Sequence, residues 1–130
     1  MKTKAKRSHE FKIYIGSVYE NKNVSFCHKV PFSEAMLSDE IAKFQDKYKP
    51  LIPVRITKTK FTCGTSYSES GWEIAVINYP RLAVEVETLE EFSEGLVEYL
   101  VNTFKQNRVT LVTPYVSIMY EEEHLSNENT

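Results

Sequence analysis

Leu89, Phe92, Leu96, Leu100 and Phe104 recur at spacings of 3, 4, 4 and 4. That is one apolar stripe on a helix of 3.6 residues per turn, and such a stripe must be buried against a second layer. Thr88-Leu-Glu-Glu91 has the spacing of a capping box, and Asn107 can supply the left-handed residue that ends a helix. The expected helix therefore covers residues 88–106. Gly95 inside it costs about 1 kcal/mol relative to Ala, so either the helix tolerates that or something packs closely there. A second helix is expected over 33–48, where Leu37, Ile41, Phe44 and Tyr48 share a face and Pro50 stops further winding.

The second layer is legible as strands. Phe11, Ile13 and Ile15 alternate with Lys12, Tyr14 and Gly16, which is the period of a half-buried strand, expected over 11–19. Residues 20–23 have turn chemistry, and 24–30 alternate again as a short second strand. Residues 51–63 are rich in β-formers and close through a loop, 64–71, onto a strand over 72–79. Ala75, Val76 and Ile77 run without a polar break, which marks that strand as the central one. Residues 108–113 and 116–120 read as a last hairpin across Pro114. The order β(β)-α-β-β-α-β(β) predicts an α+β fold, a mostly antiparallel sheet with both helices packed on one face. A split βαβ, ferredoxin-like arrangement is compatible with it. One domain is expected over 10–121, between a basic flexible tail, 1–9, and an acidic flexible tail, 122–130.

Composition removes several functions. Sixteen Lys and Arg against 18 Asp and Glu leave a net charge of −2. Without a basic surplus to release counterions, a protein that coats polymeric nucleic acid is not expected. No apolar run is long enough to span a membrane, and the basic start lacks the apolar core of a secretory signal; both fit a cytoplasmic protein. Glycines 16, 64, 71 and 95 form no phosphate-cradling loop. Cys27 and His28 are neighbours on a strand and face opposite sides, so with Cys63 they make neither a metal site nor a nucleophile and base; the cysteines are expected to be buried and structural. The run Glu85, Glu87, Glu90, Glu91, Glu94 and Glu98 suits the start of a helix and its solvated side. No residue pattern recommends an enzyme, and no cofactor is indicated.

Aromatic and arginine residues at strand ends are what remain. Rings can stack on bases, arginines can grip phosphates and Asn can pair with an adenine edge. Each also has a plainer reading: the tyrosines as packing, Arg108 as a cation near a helix C-terminus, Arg81 as a surface loop residue.

Six segments in order carry a resemblance: Ile13-Tyr-Ile-Gly-Ser-Val-Tyr-Glu20, Asn23-Val-Ser-Phe-Cys-His28, Phe44-Gln-Asp46, Ile77-Asn-Tyr-Pro-Arg81, Phe104-Lys-Gln-Asn-Arg-Val-Thr110 and Ser117-Ile-Met-Tyr120. Together they resemble the first-described type of phage anti-Thoeris protein. The resemblance implies a phage-encoded anti-defence sponge in the cytoplasm of the infected bacterial host. It would bind and sequester cyclic ADP-ribose isomers without cleaving them, so it would not be an enzyme. It further implies a homodimer with pockets at subunit interfaces; some members form hexamers that also hold cyclic trinucleotides. Residue by residue, it makes Arg108 the first choice for a phosphate or ribose contact, then Arg81 with Asn78 and Tyr79. Leu82 stands where an aromatic could stack on the base. Tyr14 and Tyr19 become base or wall residues, and His28 and Arg55 belong to a second nucleotide site. The alternative reading is an interaction module that docks on a host defence protein through Lys47, Lys49, Arg55, Lys58 and Lys60. A third is an enzyme that cleaves the signal.

Overall fold

A computed structural model of the chain describes residues 1–3, 9–21, 28–77, 84–106 and 108–121. Along it run β1 (Glu10–Gly16), β2 (Val18–Asn21), β3 (His28–Pro31), α1 (Glu34–Asp46), β4 (Val54–Thr62), β5 (Ser68–Ile77), α2 (Val86–Thr103), β6 (Arg108–Val112) and β7 (Ser117–Glu121). The sheet has the order β4-β5-β1-β6-β7 with every pairing antiparallel, and β2 pairs with β3 apart from it. The expected α+β layout is therefore present. The order β4-β5-β1-β6, with its two helices, is that of a split βαβ unit; β7 extends it by one strand.

Register decides which face is apolar. Ile13 lies opposite Ile74 on one side and Leu111 on the other, while Phe11 faces Val76 and Ile15 faces Trp72. All of these are buried, and side chains alternate along a strand, so one face of the sheet is a continuous apolar surface. Helix α2 lies against β1, β5 and β6, and α1 against β4 and α2. The two helices thus cover that face and leave the other open. Phe92, fully buried, is the hub where they meet: its ring packs edge-on against Phe44 at 5.4 Å and Tyr48 at 5.1 Å. Tyr99 on α2 donates a hydrogen bond to Glu40 Oε2 on α1 at 2.9 Å.

Several expectations need correction. The middle strand is β1, not β5. The unbroken apolar run of β5 arises because Ala75 sits on the open face between Lys12 and Arg55, and those long side chains leave it 1% exposed. The segment expected as one strand over 11–19 breaks at Ser17 into β1 and β2. The β4–β5 loop is shorter than expected because β5 begins at Ser68 and includes Gly71. Cys63 is exposed in that turn, not buried; Cys27 lies outside the described residues. Helix α2 starts two residues early, with Glu85 as an N-cap that makes no side-chain bond, so Thr88 and Glu91 form no capping box. At its end the Gln106 N–H reaches Val101 O at 3.2 Å and Lys105 has φ 50°. Lys105 is therefore the left-handed residue of the cap, the position expected for Asn107, which lies outside the described residues. Close packing explains Gly95: a Cβ there would stand 3.1 Å from Phe44 Cζ.

Candidate functional site

The open face carries Lys12, Tyr14 and Gly16 of β1, and at one end it sinks into a basin of about 870 Å³. Strands β1, β4, β5 and β6 and the turns beside them build it. Gly16 forms its floor, where a Cβ would meet Gln106 Oε1 at 3.2 Å and Glu69 Oε1 at 3.4 Å. Tyr14 and Phe61 form one bank, their rings edge to face at 5.7 Å and 78°. Phe61 lies over Gly71, where a Cβ would come within 3.4 Å of the ring and 2.5 Å of the Ile15 carbonyl oxygen. Thr110, paired with Tyr14, and Arg108 line the opposite bank on β6, with Lys105 and Gln106 of the α2–β6 turn at its end. Tyr67 and Glu69 of the β4–β5 hairpin close the mouth, the Tyr67 hydroxyl donating to Glu69. Gln106 holds the turn in place, its Nε2 donating to Val18 O at 2.7 Å and Phe104 O at 3.0 Å.

A chain of charges runs along the face beside the basin. Tyr14 donates its hydroxyl to Glu73 Oε1 at 2.8 Å, and Lys12 Nζ lies 3.7 Å from the same oxygen. Glu10 bridges Lys12 at 3.9 Å and Arg55 at 3.6 Å. Burial first, and then the bond to Glu73, push the Tyr14 pKa up to about 12. The Tyr14 phenol is therefore neutral and donating at physiological pH. Arg108 donates from Nε to Glu121 Oε1 at 3.0 Å. An anion arriving at that bank would compete with a carboxylate already in contact, but the pair is exposed and such pairs are weak.

Of the expected site residues, Tyr14 and Arg108 come together on opposite banks of one basin. Arg55 does not join them, being tied to Glu10 farther along the sheet. Asn78, Tyr79, Arg81 and Leu82 lie outside the described residues. Strand β5 leaves the sheet at Ile77 opposite Glu10, whereas Arg108 stands at the Gly16 end, roughly 20 Å away at about 3.3 Å per residue. Tyr19 and His28 belong to the separate β2–β3 pair, and only their backbone is described. Phe61, Glu69, Lys105 and Gln106 were not singled out by sequence reasoning. Their signal is the strand register, which brings distant segments to one end of one face. Among the described residues no cluster of His, Cys, Asp and Glu could hold a metal, and no helix is long and apolar enough to cross a membrane.

No family model matches the chain, and no curated protein matches it. Solved structures do. The chain is similar to a phage SAM lyase in its apo state, at 17% identity and a TM-score of 0.64 over 88% of this chain and 90% of that one. It is also similar to a phage SAM lyase in complex with S-methyl-5'-thioadenosine, at 18% identity and 0.60 over 95% and 96%. At that identity the likeness is one of fold. It nevertheless overturns the expectation of a chain with no catalysis, because both similar structures are of an enzyme; the sponge family is not borne out by these comparisons. The chain shares a whole-length fold with a phage enzyme that has been seen holding a small nucleoside.

Proposed function

We propose that the chain binds a small adenine nucleoside in the open-face basin and that S-adenosylmethionine is the molecule it acts on, as a lyase. The observation that carries this is the basin itself: aromatic rings, a carboxylate and two cations gathered at one end of a fold that in a similar structure holds S-methyl-5'-thioadenosine. Adenine would stack on Phe61 or Tyr14, worth roughly 1–3 kcal/mol per base. The sulfonium suits the faces of the same rings. Glu69 would take the substrate ammonium, and Arg108 or Lys105 its carboxylate. In the cleavage, the electron pair of a carbon–sulfur bond passes to sulfur, which leaves as a neutral thioether. The remaining fragment is completed by losing a neighbouring proton or by attack of its own carboxylate, so no water is consumed. Both charges of the second route vanish in the product, which a partly apolar site favours.

A second reading rests on Arg108 with Lys105. Two cations at one bank suit a pyrophosphate beside an adenine, as cyclic ADP-ribose presents them, and this matches the anti-defence role that the sequence segments suggest.

One experiment separates the two. The purified protein is incubated with S-adenosylmethionine or with cyclic ADP-ribose isomers, and free and heat-released small molecules are weighed by mass spectrometry. Time-dependent S-methyl-5'-thioadenosine, lost in Glu69→Gln and Arg108→Ala, is the expected result. Capture of a cyclic ADP-ribose isomer with S-adenosylmethionine untouched selects the second reading. Neither conversion nor capture overturns both.

A further inference from the structure

Gln106 is 5% exposed, yet it lines the basin. Its Nε2 donates to Val18 O at 2.7 Å and Phe104 O at 3.0 Å, which settles the orientation of the amide and leaves Oε1 as a pure acceptor. No donor among the described residues reaches that oxygen. Nor is it sealed: among the described residues Trp72 Nε1 is the sole buried side-chain polar atom both unpartnered and closed off from solvent. Oε1 stands at the basin floor, 3.2 Å from the place a Gly16 side chain would take, and Glu69 Oε1 lies 3.4 Å from the same place. The other Glu69 oxygen already accepts from the Tyr67 hydroxyl. An amide oxygen and a carboxylate oxygen therefore flank a gap that exists because residue 16 has no side chain. The backbone does not require glycine there, since the φ of Gly16 is not positive.

We propose that Gln106 and Glu69 form a subsite for a primary ammonium group and that Gln106 makes the basin selective for it. The inference rests on the reading of the basin as a site for S-adenosylmethionine and adds a selecting residue to it. A primary ammonium has three N–H donors and no acceptor, so it can answer both oxygens at once, whereas a hydroxyl answers one. Glu69 supplies the opposite charge. Gln106 supplies a second acceptor whose direction is already fixed by two carbonyls, so little freedom is lost when the bond forms. Lys105 and Arg108 line the same end, so the ammonium and carboxylate of an amino-acid group each meet the opposite sign. S-methyl-5'-thioadenosine carries no ammonium, and the subsite therefore favours the substrate over that nucleoside.

The full chain is titrated calorimetrically with three ligands. They are S-adenosylhomocysteine, which lacks the reactive sulfonium, its analogue with hydrogen in place of the amino group, and S-methyl-5'-thioadenosine. In wild type, removing the amino group should raise Kd about tenfold or more, the loss of hydrogen bonds to a charged group. Gly16→Ala places a methyl between the two oxygens, and Gln106→Met removes one of them; each should bring the ratio of the two Kd values below about threefold. A residue that only shapes the basin weakens both ligands alike and leaves that ratio in place. Gln106→Met also loses the bonds that hold the turn, so Glu69→Ala, on an exposed hairpin, isolates the Gln106 share in a chain whose turn is intact. A ratio smaller than in wild type but above about twofold is expected there, and a ratio of one overturns the role of Gln106. The proposal also falls if wild type holds S-methyl-5'-thioadenosine without separating the other two ligands, or if the ratio is unmoved in Gly16→Ala. A wild type that binds none of the three overturns the reading of the basin as well.

Discussion

The Tyr14 hydroxyl gives its proton to a hydrogen bond with Glu73, and the same ring packs on Phe61. Its ionisation therefore reports on the bank of the basin. An unfolded tyrosine titrates near 10.0, and burial with the bond to Glu73 raises the pKa of Tyr14 to about 12. Below pH 10 both states hold the proton, and the contribution of the site to stability is complete. Above it the unfolded chain releases its proton first, so stability falls as pH rises through the window up to about 12. Tyr48, Tyr67, Tyr99 and Tyr120 are raised as well, so Tyr14 accounts for part of that slope. Urea melts between pH 9 and 12 should show Tyr14→Phe with a shallower fall than the wild type; equal slopes would remove Tyr14 from the account. The period-2 pattern already placed Tyr14 on the polar side of its strand. Its partners were hidden because Glu73 and Phe61 reach it through pairing, which periodicity within one strand does not encode.

Gly71 of β5 faces Gly16 of β1. A methyl group on Gly71 would lie 2.5 Å from a backbone oxygen of β1, and a backbone atom cannot swing aside as a side chain can. Gly71→Ala should cost about 1–3 kcal/mol, read as a lower urea midpoint with unchanged slope; an unchanged midpoint would show that the strands separate there without penalty. The elements themselves were largely legible. Both helical stripes and the alternation in β1 follow from burial on one side, which leaves a direct trace in residue type. Helix ends were less legible. The start of α2 is set by the Glu85 backbone rather than by Thr88, and its end by Lys105 in a conformation usually left to glycine. The place of β5 was misread because Ala75 is apolar on a face where its neighbours are charged. Of the basin, Tyr14 and Arg108 were legible as residues with binding chemistry, whereas Gln106 works by holding a turn and has no sequence signature of its own.

At the level of the molecule, one layer of helix holds one sheet, and Phe92 stands where α1, α2 and their shared aromatic cluster converge. Truncating it to Ala should cost about 3–5 kcal/mol. That is a large share of the roughly 5–15 kcal/mol that stabilises a domain. Chemical denaturation would read it as a large drop in midpoint, and a drop no greater than that of an exposed site such as Met36→Ala would show that the hub lies elsewhere. The sheet also joins the two ends of the domain: β1 is the first strand and β6 nearly the last, yet they are neighbours, and the two banks of the basin belong one to each. The consequence concerns the order of synthesis. A chain still emerging from the ribosome has Tyr14 and Gly16 but no opposite bank, so it has no basin to fill until β6 has been made and has crossed the sheet to β1. Any ligand held there acts as a clasp between two segments translated far apart in time, and only molecules with β6 in place can compete for it.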